Sequence, residues 1–197
     1  MKTLHPEILE GIHLLHGKHT SAQDGMCLLE AVANVAGEKC SVHPKCVCPA
    51  LAAFGRSWND GLENDDERDK WLKPLIPRLI GTAGNEAVSE RRSWMALDWL
   101  IRVQTPAWMD LTESLREHAA ILRSLPQHDN SRALTGSSRA RAAAWAAAWA
   151  AWEAAGAAGA AGAAGESLFP TTEGLKTSAL ALFEAMIDLK PEDLTES

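Results

Sequence analysis

Apolar residues recur at three- and four-residue spacing along most of this chain, and the alternation that marks a half-buried strand is nearly absent. Behind Pro6, the residues Ile8, Leu9, Ile12 and Leu15 share a helical face, which predicts a short helix over 6–15 that Gly11 weakens. A central helix is expected from Ser21, which has Asp24 at capping distance, to Gly37, placed as a C-terminal stop. Leu28, Ala31, Val32, Val35 and Ala36 form its buried stripe. Pro49 suits the first turn of a helix to about Trp58, with Leu51, Phe54 and Trp58 inward and Asn59, Asp60 and Gly61 ending it. The acidic run 63–69 reads as a solvated first turn leading into Trp71, Leu72, Leu75, Ile76, Leu79 and Ile80, a segment that Pro74 and Pro77 must break. Beyond a loop at 81–84, Asn85 caps a long helix to about Val103. Thr105 and Pro106 open the next, striped by Leu111, Leu115, His118, Leu122 and Leu125, with His118 at the core edge. A final amphipathic helix follows Pro170 through Leu175, Ala179, Leu182, Phe183, Met186 and Leu189, and Pro191 closes it.

The fold implied is all-α: a compact multi-helix bundle with a Trp/Ala-rich C-terminal helical appendage. Residues 1–125 form the expected helical core domain, 126–138 a polar linker, 139–189 an Ala/Trp-rich helix, a Gly-rich stretch and the last amphipathic helix, and 190–197 a tail. Trp145, Trp149 and Trp152 recur at i, i+4 and i+7 among alanines, so one indole face can dock on the main domain or on a second copy. Between Ala142 and Gly165 only Glu153 is charged, and that length would span a bilayer. Alanine and glycine supply little transfer energy, however, and Glu153 near the middle costs about 2.5 kcal/mol or more. Membrane insertion is therefore not expected.

A chain of 197 residues is long enough to bury a substantial core. Its formal charge of -7, with no concentrated basic face, argues against a nucleic-acid binder. The first residues lack the apolar core and cleavage site of a secretory signal, so the expectation is a cytoplasmic protein whose cysteines are thiols or metal ligands.

All four cysteines fall within residues 17–60. Cys27 is expected in the first turns of the central helix, where backbone N–H groups favour a thiolate, and Glu30 shares its face. Cys40, His43, Cys46 and Cys48 have the spacing C-x2-H-x2-C-x-C, which suggests zinc. Four ligands within so short a loop would strain it, so a set drawing on His19 or Cys27 is geometrically easier. His13, His16 and His19 recur every third residue, whereas metal ligands on one helix usually lie four apart, so they read as partly exposed. Arg91, Met95, Asp98 and Arg102 share a helical face, either as an anion-binding strip or, for Asp98 and Arg102, as an ordinary ion pair.

Residues 24–33, DGMCLLEAVA, resemble the D-G-x-C-L-x-x-A nucleophile block of OTU-type cysteine peptidases. That resemblance implies Cys27 as nucleophile, but the family also uses a late histidine after a strand. Here His118 or His128 would have to serve, neither in a matching motif. A wider set of blocks is similar to a family of hypothetical proteins of bacteria, mainly actinobacteria, and their phages: G-x-H at 17–19, G-M-C-L-x-E-A-V-A at 25–33, A-G-E at 36–38, S-x-H-P at 41–44, N-D at 59–60 and D-W-L at 98–100. This resemblance carries no activity. It singles out His19, Cys27, Glu30, His43 and Cys46, and so moves the metal candidates to His19, Cys27, His43 and Cys46.

Three functions follow as expectations. The first is a non-enzymatic, phage-associated interaction protein that binds a host protein or small ligand and forms homo-oligomers through Trp145, Trp149 and Trp152. The second is a zinc-stabilised helical domain. The third is a cysteine hydrolase using Cys27, Glu30 or Asp24 as its polar neighbour, and His43 as base.

Overall fold

Local capping chemistry sets several of the helix boundaries. The computed structural model describes residues 7–19, 25–127 and 165–194. Their fold is all-α, and there is no β-strand among the described residues. The expected Ser21 and Asp24 cap, His128, most of the 126–138 linker and Trp145, Trp149 and Trp152 lie outside them.

The first helix, α1, covers only Glu7–Glu10. The helix expected over 6–15 stops at Gly11, because the backbone beyond it is claimed elsewhere: Leu14 pairs with Met26 in an isolated parallel bridge, and its N–H donates to Asp69 Oδ1 at 2.8 Å. The central helix α2 covers Leu28–Val35, so it starts later than Ser21 would place it. Cys27 is its N-cap rather than a residue within its first turns. At the other end Gly37 has φ +74°, its N–H reaches Asn34 O, and Glu38 N–H reaches Ala33 O. This is a Schellman closure, and it confirms the stop at Gly37.

Helix α3, Pro49–Gly61, begins on Pro49 as expected and runs slightly beyond Trp58. Asn64 accepts Glu67 N–H to cap α4, Asp65–Leu72. The two prolines then break the chain as expected into a 3₁₀ turn, Lys73–Leu75, and a single helical turn α5, Ile76–Leu79. Asn85 Oδ1 accepts Val88 N–H at 3.0 Å and caps α6, Glu86–Trp99. A π-helical segment, Leu100–Gln104, prolongs it into α7, Thr105–Met109. The stripe expected after Thr105 is split between α7 and α8, Arg116–Ser124. Leu111 is exposed in the turn between them, and His118 is exposed rather than at the core edge. Helix α9, Gly165–Asp188, contains Pro170 instead of starting after it.

The chain divides into two units, Met1–Arg92 with Phe183–Ser197, and Ser93–Leu182, so the division falls inside α6 and α9. In the first unit α2 packs against α3 and α5. Leu14, Leu28, Leu29, Leu51, Leu72, Leu75, Ile76, Leu79, Phe183 and Met186 are its fully buried core. Phe183 lies 5.3 Å from Phe54 and 6.0 Å from Trp58, ring centre to ring centre. In the second unit Met109, Ala119 and Leu122 form a small core flanked by Ile101, Leu115 and Leu125. There Arg123 clasps Asp110 through two hydrogen bonds, and Trp99 Nε1–H donates to Ser178 Oγ at 3.1 Å. No helix of the described residues is long and apolar enough to cross a membrane.

Candidate functional site

The start of α2 is assembled around one carboxylate. Glu30 is completely buried, and its two oxygens accept three donors: His19 N–H at 2.8 Å, His19 Nδ1–H at 3.0 Å and Cys27 N–H at 2.9 Å. An ionised carboxylate only accepts hydrogen bonds, so the Nδ1 of His19 carries the proton. Burial pushes the Glu30 carboxyl up, but the N–H groups of Cys27 and His19 outweigh it and hold the group below its ordinary value. The Glu30-to-Cys27 bond is half of a capping box, with cysteine in the position usual for serine or threonine.

Cys27 is only 3% exposed, and burial together with the adjacent Glu30 charge pushes its thiol up to about 12. The thiolate expected from its helix-start position does not form at neutral pH, because desolvation and a neighbouring carboxylate override the helix dipole. The order of groups is also the reverse of a catalytic one. A cysteine nucleophile needs an imidazole next to the thiol and a carboxylate behind it. Here Glu30 stands against Cys27, and His19 stands behind Glu30.

The other candidates are dispersed. His43 is exposed, with its N–H on Ser41 Oγ at 3.0 Å. Glu38 accepts Lys45 N–H and Cys46 N–H, and burial plus the Glu38 carboxylate raise the Cys46 thiol to about 11. Cys48 caps α3 with its thiol 3.3 Å from Ser89 Oγ; burial pushes this thiol up, but Ser89 and Arg92 outweigh it and lower it overall. Cys40 is partly exposed. Among the described residues no three His, Cys, Asp or Glu side chains converge as metal ligands would, so His19, Cys27, His43 and Cys46 are not gathered into the expected zinc site. The chemical reason is that His19 is committed to Glu30, and Cys46 to the Glu38 clamp. On α6 and the π segment, Asp98 pairs with Arg102 at 3.5 Å, the ordinary ion pair of the two readings.

Beside Cys27 there is a cleft of about 120 Å³ lined by Gly17, Lys18, Cys27, Leu28, Leu29, Val42, Arg56, Asn59 and Asp60. Three polar side chains fix its walls. Asn59, itself buried, accepts Leu28 N–H and donates to Leu15 O and to Asp60 Oδ1. Asp60 Oδ1 also accepts Gly17 N–H at 3.1 Å, which ties the 17–19 loop to α3. Arg56 Nη1–H donates to Val42 O at 2.8 Å and anchors the cysteine loop on the opposite side.

No family model, curated protein or solved structure matches the chain. The site must therefore be read from its own geometry.

Of the lining residues, only Cys27 belongs to the sequence candidates. Asn59 and Asp60 are legible in the sequence only as a helix terminator and as the N-D block of the family resemblance, and Lys18, Val42 and Arg56 carry no local signal. The pair Cys27 and Glu30 does have capping-box spacing, and that spacing marks the true helix start.

Proposed function

We propose that the chain is a non-enzymatic small-ligand-binding domain whose site is the cleft over Cys27. The observation that carries this reading is the cleft itself: about 120 Å³, with Cys27, Leu28, Leu29 and Val42 among its lining and a polar frame held by Asn59, Asp60 and Arg56. A cavity of roughly 150 Å³ holds a benzene-sized guest, so this one suits a compact molecule of similar or smaller size. Cys27 serves as a neutral, polarisable wall and not as a nucleophile. An origin in a phage or prophage, a host protein as partner, and self-association through Trp145, Trp149 and Trp152 are further parts of the proposal that rest on the sequence alone.

The test is an NMR screen of the full chain with small fragments of each charge type. Binding should shift the amides of Lys18, Leu28, Val42 and Arg56. Val42→Phe, which fills the cleft from a partly exposed loop and keeps the carbonyl that Arg56 needs, should abolish those shifts. Fragments that bind the wild type and Val42→Phe equally, or that shift only resonances elsewhere, would overturn the reading.

A further inference from the structure

The charge around the cleft narrows the class of ligand, an inference that rests on the binding reading above. Two cationic side chains, Lys18 and Arg56, and one anionic one, Asp60, line it. The three are not equally committed. Asp60 is a structural clamp, since its Oδ1 already receives Gly17 N–H and Asn59 Nδ2–H, so two protein donors offset part of its charge. Arg56 has one N–H on the Val42 carbonyl. That single bond fixes the guanidinium at the cleft wall and leaves it further donors, because arginine carries five in a planar fork. Lys18 is exposed and adds a second positive charge on the loop that carries Gly17.

The apolar side of the cleft is the partly exposed Val42 above a buried floor of Cys27, Leu28 and Leu29, with the Cys27 thiol kept neutral. A ligand complementary to both halves has a small branched apolar body and one anionic group. Cationic ligands are disfavoured because Arg56 and Lys18 outnumber Asp60.

We infer that the cleft over Cys27 binds small aliphatic monocarboxylates, with the carboxylate on Arg56 and Lys18 and the alkyl body against Val42. The available volume limits the body to a few carbons. Planar recognition of a carboxylate by a pre-positioned guanidinium supplies orientation as well as charge.

Three near-isosteric probes test this by NMR titration of the full chain: isobutyrate, isobutanol and isobutylammonium. Isobutyrate should bind about 3–10-fold more tightly than isobutanol, as a charge-assisted bond at a partly exposed site predicts, with isobutylammonium weakest. Arg56→Gln, which retains an N–H for the Val42 carbonyl, should remove the preference for isobutyrate over isobutanol. Lys18→Gln, at an exposed position, should reduce it, and so should raising the salt concentration. Equal or tighter binding of isobutanol would overturn the carboxylate inference while leaving the cleft as a binding site. If none of the three probes shifts the cleft resonances, both the inference and the binding reading fail.

Discussion

The Nδ1–H of His19 donates to Glu30 Oε2 at 3.0 Å, and the backbone N–H of the same histidine donates to Glu30 Oε1 at 2.8 Å. This two-point grip fastens the loop at 17–19 to the first turn of α2. Asp60 reinforces it from the other side through Gly17 N–H. One wall of the cleft is therefore held by carboxylates acting as structural acceptors, and the cationic residues Arg56 and Lys18 are among the rest of its lining.

Removing the grip should be costly. Glu30→Ala leaves the N–H groups of Cys27 and His19 and the His19 ring without their acceptor in a buried setting, with an expected loss of about 3 kcal/mol or more. Glu30→Gln keeps one acceptor oxygen and should lose roughly half as much. Urea unfolding curves of the two variants measure the difference. The Cys27 thiol should also fall from about 12 in Glu30→Gln, because the adjacent charge is gone, and the pH dependence of alkylation reads this directly.

Stability should decline at both ends of the pH scale. Glu30 and Glu38 sit below their ordinary value of 4.5 when folded, so their stabilisation is present above that pH and is lost as the pH falls through their folded values. The Cys27 and Cys46 thiols behave in the opposite sense. Cys27 and Cys46 are raised from 9.0 to about 12 and about 11, so above pH 9 the unfolded chain loses protons that the folded chain keeps. Stability should then fall with rising pH, by up to about 1.4 kcal/mol per pH unit for each thiol. Urea midpoints at pH 8 and pH 10 should differ, and the difference should shrink in Cys27→Ala.

Chelation offers a third check. With His19 held by Glu30 and Cys46 beside Glu38, no convergent ligand set exists among the described residues, so EDTA should leave the far-UV circular dichroism unchanged. A loss of helicity on chelation, restored by zinc, would contradict this arrangement of the cysteine loop.

Arg92 shows how a single buried cation can finish a helix. It is 4% exposed, and its guanidinium donates to the carbonyl oxygens of Thr82, Met186, Ile187 and Leu189, which include acceptors left open at the C-terminal end of α9. Lysine cannot reproduce that fork, so Arg92→Lys as well as Arg92→Ala should lose about 2–4 kcal/mol. Hydrogen exchange should accelerate over residues 183–194, and the Cys48 thiol, which Arg92 helps to lower, should rise.

The legible parts of the fold were those fixed by near neighbours. Gly37 stops α2, Pro49 starts α3, Asn85 caps α6, and Pro74 with Pro77 breaks the segment before it; each acts within one or two turns. The start of α2 is ambiguous in the sequence because Ser21 with Asp24 and Cys27 with Glu30 share the same spacing; in the structure Cys27 and Glu30 form the capping box. Pro170 predicts a boundary, but the helix extends across it. The cleft was hidden for a different reason. Lys18, Val42, Arg56 and Asp60 come from separate parts of the chain, and only the folded backbone brings them together around Cys27.

Gly55 illustrates a packing constraint that no helical wheel reveals, and it yields the most direct test of the first unit's core. On an isolated helix, glycine to alanine gains up to about 1 kcal/mol. At this position a Cβ would lie 3.0 Å from Leu28 Cδ2, 3.2 Å from Phe183 Cζ and 3.3 Å from Leu29 Cδ2. All three side chains are fully buried, and the Phe183 ring is further confined by Phe54 and Trp58. Overpacking a tight core costs about 1–3 kcal/mol, so Gly55→Ala should be destabilising on balance despite its better propensity. Displacement should appear as shifts of the Phe183 ring protons and of the Leu28 and Leu29 methyl groups, with a lower urea midpoint. A higher midpoint with an unshifted Phe183 ring would show that α3 does not approach α2 and Phe183 as closely as this packing requires.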